Sequence, residues 1–353
     1  MKFFTICIKR NFLSIVLCFF ILSLVIFSRE SLEAAKNGLS LWVNSVVPSL
    51  LPFFVATELL CTTNIIPILG RHLNFIMRPL FNVPGEGAFA LVMGIISGYP
   101  VGAKIATDLR SRNLLTQTEA ERLIAFTNNS GPLFIIGTVG ISLFENTLIG
   151  FLLLLTHILA CISVGICFRF YNVKSASNTN IVLKNFTPYS NNTYISRAKT
   201  VAPFGTVLSN SISEAINHVV MIGGFVVLFS VILSILNTLG IIGILTGFFT
   251  PFFSVFKIEP SFASGFISGL IELTNGVNKI SNISVKNIAT NILFCAFLLG
   301  FGGISVVFQV LSIISKTDIS IKPYIYGKLL QGVFSCIYVY LFINFFPVFN
   351  LNL

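Results

Sequence analysis

Ten long apolar stretches separated by short polar breaks run through the chain, at about 12–27, 40–62, 88–108, 123–143, 147–171, 219–239, 241–256, 262–281, 287–314 and 323–347. A helix crossing the hydrocarbon core of a bilayer needs about 20 predominantly apolar residues, and most of these stretches approach or reach that length. Lipid offers no hydrogen bonds to a backbone, so a crossing segment must close its own as a helix, and the two-residue alternation of a barrel strand is missing here. The pattern predicts an all-α polytopic membrane protein. Residues 64–83, where Arg71, His72 and Arg78 stand among apolar neighbours, predict an amphipathic helix lying along the membrane.

Residues 172–200 break the pattern: they are rich in Asn, Ser and Thr, carry Lys and Arg and have no acid. They predict a solvent-side linker between two halves, and the chain divides into an N-terminal span at 1–30, a first repeat at 31–171, the linker at 172–200 and a second repeat at 201–353. The halves share a spacing. Pro79-Leu80-Phe81-Asn82-Val83 leads to Gly94-Ile95-Ile96-Ser97-Gly98, and Pro251-Phe252-Phe253-Ser254-Val255 leads to Gly265-Phe266-Ile267-Ser268-Gly269; Ser97 and Ser268 stand 171 positions apart, as do Gly131 and Gly302. An offset held across several segments predicts an internal duplication.

Charge places the repeats in the membrane. If the first span runs from inside to outside, Lys2, Lys9, Arg10, Arg71, Arg78, Arg110, Arg112, Arg122 and the basic linker all face the cytoplasm. Residues 29–39 and Glu145 then lie outside, together with Lys279 and Lys286. On this count the second repeat is inverted relative to the first. Inverted repeats with broken helices or re-entrant hairpins are the architecture of secondary transporters, whose sites lie at mid-membrane where the repeats meet.

Composition narrows the function. The 353 residues are 55% hydrophobic and 10% charged, with a formal charge of +10 and a mean hydropathy of +0.92, which excludes a soluble enzyme. The Lys and Arg form short clusters between apolar runs, with no aromatic-interleaved basic stripe, so nucleic acid is not an expected partner. Seven cysteines lie mostly inside apolar runs without metal-ligand spacing, and no metal site is expected. No nucleoside-triphosphate loop, HExxH or nucleophile–base arrangement is present, so an enzyme is not expected and no cofactor is; a coupling ion, Na+ or H+, stays open.

Four interruptions carry the candidate chemistry. Ser97-Gly98-Tyr99-Pro100-Val101-Gly102-Ala103-Lys104 sets two glycines and a proline inside an apolar stretch, where the backbone either opens into a re-entrant hairpin with Ser97 and Lys104 at a binding site or forms a kinked, closely packed span. Asn128-Asn129-Ser130-Gly131-Pro132 sets amides and a hydroxyl before a fresh helix start, which suits either an anion site made by Asn128, Asn129 and Ser130 or a surface cap. Glu272-Leu273-Thr274-Asn275-Gly276 places an acid in a membrane segment, where it pairs with Lys104 or Lys279, or holds a coupling ion beside Thr274 and Asn275. Gly300-Phe301-Gly302-Gly303-Ile304-Ser305, with Gln309, completes the set. His157 reads as a packed hydrogen-bonding residue, Lys328 and Gln331 as side chains reaching to the interface, and Glu33 and Glu214 as surface charges.

The segments GxxSGYPVGAK at 94–104 and ERLIAFTNNSGPLFIIGTVG at 121–140 resemble the YlbJ family of sporulation integral membrane proteins and the wider nucleoside-recognition, or Gate, domain related to concentrative nucleoside transporters. SGLIELTNG at 268–276 and GFGGISV at 300–306 fit the same pattern. The resemblance implies two Gate-like repeats with paired hairpins, in a cell membrane or the outer forespore membrane of a spore former, and delivery of dipicolinic acid toward the forespore. That substrate is an anionic aromatic dicarboxylate. A scaffold for spore-envelope assembly and a nucleoside transporter are the alternatives; partners beyond solute and bilayer are a second copy of the chain or other sporulation membrane proteins.

Overall fold

The computed structural model describes residues 2–63, 65–172, 203–255, 258–284 and 288–346. Apart from Asn172, the linker expected at 172–200 lies outside the described residues, as does Lys286. Among the described residues the fold is helical throughout, with no strand. In the first half the helices are α1 (Lys2–Ile26), α2 (Ser28–Leu41), α3 (Val47–Cys61), α4 (Ile65–Phe81), α5 (Gly87–Ser97), α6 (Val101–Ser111), α7 (Gln117–Thr127), α8 (Leu133–Leu143, wound in wide π-type turns) and α9 (Thr147–Phe168). The second half holds α10 (Phe204–Thr238), α11 (Ile241–Val255), α12 (Ser261–Ile271), α13 (Leu273–Ser281), α14 (Ala289–Phe301), α15 (Gly303–Ile314) and α16 (Lys322–Phe345).

Among the described residues four helices are long and apolar enough to cross a membrane: α9, α10, α14–α15 taken through its break, and α16. A fifth candidate is the pair Ser14–Ile26 and Ser28–Asn44, bent by 97° where the apolar run gives way to Ser28-Arg29-Glu30. The protein is a multi-pass integral membrane protein. One boundary differs from the hydropathy pattern, because α10 begins at Phe204 and not near 219. Its first turns carry Ser209, Ser211, Ser213, Glu214 and Asn217, which mask the helix in an average over residues, while Ser211, Ala215, Val219 and Ile222 form a buried stripe at helical spacing. That stripe packs on α2 and α3, where the Trp42 indole donates to the Val219 carbonyl at 2.9 Å.

The element order recurs. A helix, a second helix, a hairpin, an interrupted helix and a long last helix appear as α3, α4, α5–α6, α7–α8, α9 and again as α10, α11, α12–α13, α14–α15, α16. The two hairpins are rooted at opposite ends of the bundle. At one end, near the bases of α5 and α6, the Arg122 guanidinium donates to the carbonyls of Asn82 at 2.9 Å and Tyr171 at 2.7 Å, Arg78 pairs with Glu119 at 2.7 Å, and Arg110 pairs with Asp318 at 2.7 Å. Three of the arginines expected on one face therefore gather there. At the other end, Phe262 at the start of α12 and Ile280 at the end of α13 share an apolar cluster with Phe144, Ile149, Ile292 and Val339. Lys279 lies at that second end, and Glu33 and Glu214 are exposed.

Candidate functional site between two hairpin tips

Glycine determines the first tip. Gly98 has φ +86°, a left-handed value that side chains disfavour, and it turns the chain from α5 into α6. Gly94 and Gly102 press the hairpin against α7 so closely that a Cβ at either would run into the Thr127 carbonyl, and a Cβ at Gly98 would stand 2.8 Å from the Gly131 amide nitrogen. The first hairpin and the break between α7 and α8 thus form one backbone-to-backbone unit.

That break leaves the last carbonyls of α7 without helical partners, in the middle of a membrane protein. Side chains from α16 and α9 fill the gap. Lys328 Nζ donates to the Asn128 carbonyl at 2.8 Å and to Gln331 Oε1 at 2.6 Å. The Gln331 amide nitrogen donates to Asn129 Oδ1 at 2.7 Å, while Asn129 Nδ2 donates to the Phe126 carbonyl at 2.9 Å. Asn128 Nδ2 donates to the Tyr324 hydroxyl at 3.1 Å. The Ser130 amide donates to His157 Nε2 at 3.2 Å, which places the imidazole proton on Nδ1.

Lys328 and Gln331 are fully buried and do not reach the interface as expected. The physical reason is that an interrupted helix needs donors and acceptors more than a lysine near a helix start needs water. A signal was present: Tyr324, Lys328, Gln331 and Ser335 recur at helical spacing on α16, a polar stripe in an apolar span, and all four are buried.

The second tip is organised differently. Glu272 separates α12 from α13 and caps α13, its carboxylate accepting from the amides of Thr274 at 3.1 Å and Asn275 at 2.8 Å and from Asn275 Nδ2 at 2.9 Å. The ion pair expected with Lys104 or Lys279 is not formed. Lys104 pairs with Glu58 on α3, and Lys279 donates to Ser268 Oγ at 2.9 Å inside its own hairpin. Sequence spacing could not assign these partners, because Glu58 is 46 residues from Lys104 and reaches it only through packing.

Between the tips lies a cavity of about 470 Å³, lined by Ser97, Gly98, Tyr99, Ser130 and Gly131 from the first half and by Glu272, Leu273, Thr274, Ser305 and Gln309 from the second. A cleft of about 580 Å³, lined by Glu30, Glu33, Asn275, Asn278 and Lys279, adjoins it. Leu41, Thr138 and Thr274 line both spaces, so the cleft at the Lys279 end borders the cavity. Of the expected site residues, Ser97, Ser130, Glu272 and Thr274 line the cavity and Asn275 lines the adjoining cleft. Asn128 and Asn129 lie behind its wall in the buried network, and Lys104 lies beside α3. Tyr99, Ser305 and Gln309 are lining residues that spacing did not single out as ligands.

Two N-terminal helix turns end at this cavity without a side-chain cap, that of α8 after Gly131 and that of α15 after Gly302. Free amides at a helix start carry partial positive charge and favour an anion. The α13 start is occupied by Glu272.

This geometry defines a helical membrane protein of the hairpin-and-broken-helix class, and the Gate domain, described as nucleoside recognition, matches residues 43–135, a stretch that holds the first hairpin and the first break. The chain is 37% identical over 339 residues, covering 94% of itself and 83% of the relative, to the sporulation integral membrane protein YlbJ of Bacillus subtilis (strain 168). It belongs to the YlbJ family of sporulation integral membrane proteins. No solved structure matches the chain.

Proposed function

We propose that the protein is a transporter that moves a small anionic solute by alternating access around the cavity between the two hairpin tips, and that the solute is dipicolinate crossing the outer forespore membrane. The observation that carries this reading is the pairing of the hairpins. They are rooted at opposite ends of the bundle, their tips wall one cavity, and a cleft at the end holding Lys279 borders it. Motion of one repeat against the other would open it to the opposite end, in the manner of inverted-repeat carriers. The uncapped starts of α8 and α15 suit a carboxylate. Glu272, committed to α13, suits a helix cap that a coupling Na+ or H+ would engage. Membership in a sporulation family supports the forespore setting. The description of the Gate domain favours a nucleoside as the competing solute.

The test is counterflow of labelled dipicolinate into proteoliposomes containing the purified chain, with unlabelled nucleosides as competitors. Uptake that dipicolinate competes and nucleosides do not is expected, and Thr274→Trp, which puts a bulky ring at a residue lining both cavity and cleft, is expected to stop it. Absence of exchange for every solute would remove the transport reading, and uptake competed by nucleosides would replace dipicolinate with the alternative.

A further inference from the structure

Lys328 is a fully buried lysine that takes part in none of the ion pairs found among the described residues, which are Arg78–Glu119, Lys104–Glu58 and Arg110–Asp318. Burying a charge is costly, and the usual remedy is an opposite charge. Here the compensation is made only of neutral groups, the Asn128 carbonyl and the Gln331 amide oxygen. The remaining side of the ammonium faces the Tyr99 ring, whose centroid is 5.3 Å from Nζ. Tyr99 is pinned in place by its hydroxyl, which donates to the Leu299 carbonyl at 2.8 Å, and it lines the cavity. When protonated, Lys328 is a cation with no charged partner among the described residues, and the Tyr99 ring stands between it and the space where a solute would sit.

We infer that Lys328 is a specificity-determining positioning residue: it selects for anions in the cavity by its field through Tyr99 and holds the Asn128–Ser130 wall in shape, without touching the solute. This inference rests on the transport reading. In a dry, low-dielectric wall a unit charge acts over several ångströms with little screening, whereas in water the same charge would be lost to solvent. The carboxylate in the opposite wall, Glu272, caps α13 and favours an anion held on the Tyr99 side of the cavity. There a bound anion supplies the counter-charge that a protonated Lys328 lacks.

The experiment measures equilibrium binding of three probes of equal shape to the purified full chain: pyridine-2,6-dicarboxylate, its monoamide and its diamide. Wild type is expected to prefer the dianion to the diamide. Lys328→Met is expected to weaken the dianion roughly tenfold or more, the monoanion by less and the neutral diamide little, and Lys328→Arg to keep the order of preference. Should Lys328→Met fail to fold, Lys328→Met combined with Gln331→Leu removes both members of the buried pair and leaves no orphaned partner on α16. An equal loss for all three probes would assign Lys328 a purely structural role and overturn the inference while transport stood. A wild type that exchanges solute but does not rank the probes by charge would do the same. Binding of no probe, with no exchange in the counterflow assay, would overturn both.

Discussion

The two hairpins have the same outline and opposite attachments. The α5–α6 hairpin is tied to other elements: its backbone meets that of α7 at Gly94 and Gly102, Tyr99 donates to Leu299, Lys104 pairs with Glu58 and Arg110 with Asp318. The α12–α13 hairpin packs on its neighbours as well, but its polar bonds lie largely within itself. Gly276 packs on Gly269 and Gly265 on Ile280, all within the hairpin, Glu272 caps its own second helix, and Lys279 donates to Ser268. Its outward contacts include the Leu298 side chain against Gly269, the approach of Gly303 to the tip, and Asn291, which donates to the Ile280 and Ile283 carbonyls. The first hairpin is clamped backbone to backbone on α7, and the second carries its capping and hydroxyl bonds within itself.

That contrast breaks most directly at Gly102. A methyl there meets the Thr127 carbonyl, which is backbone and cannot move aside, so Gly102→Ala is expected to cost about 3 kcal/mol or more, read as lost folded protein in detergent thermal unfolding. A Gly102→Ala protein as stable as wild type would show that the first hairpin is not clamped. Glu272→Ala is expected to cost about 1–2 kcal/mol through loss of the cap. Hydrogen exchange should then rise across 261–281 and stay unchanged across 87–111; a rise in both would merge the hairpins into a single unit.

A smaller effect is expected at the base of the first hairpin. The hydrogen bonds and charge of Arg110 hold the Asp318 carboxyl below its ordinary range. A depressed folded-state value means that the contribution is full above the ordinary carboxylate value, begins to fade below about pH 4 and is gone once pH falls below the folded value. Because Asp318 is about half exposed, Asp318→Asn should cost under about 1 kcal/mol at neutral pH, less in high salt, and nothing at acid pH. A pH-independent cost in the unfolding midpoint would assign the loss to packing instead. The smallest effect belongs to Gly243 on α11, where a Cβ meets no atom within 4 Å. Gly243→Ala should leave the midpoint unchanged or raise stability by up to about 1 kcal/mol, and destabilisation would reveal an unrecognised contact on that helix.

Much of this was legible in residue order. The apolar runs announced helices in lipid, and Gly98, Gly131 and Gly302 marked where they break. Ser97, Ser130, Glu272 and Thr274 stood out because polar groups are expensive in such runs, and all four line the cavity. Lys104 stood out for the same reason, yet it satisfies Glu58 on a neighbouring helix. His157 was read correctly as a packed hydrogen-bonding residue. Lys328 and Gln331 were misplaced because nearness to a helix start is a poor guide to burial when a tertiary partner competes with water.

Local interactions repeat with short periods, so hydrophobicity, helix breaks and the glycine-dependent turns were settled by neighbours along the chain. Which groups satisfy one another was not. Lys328 donates to the Asn128 carbonyl across 200 positions, and Tyr99 to that of Leu299 across the same separation. Only folding brings such pairs together, because a buried donor accepts whichever acceptor the packing of distant helices leaves within reach.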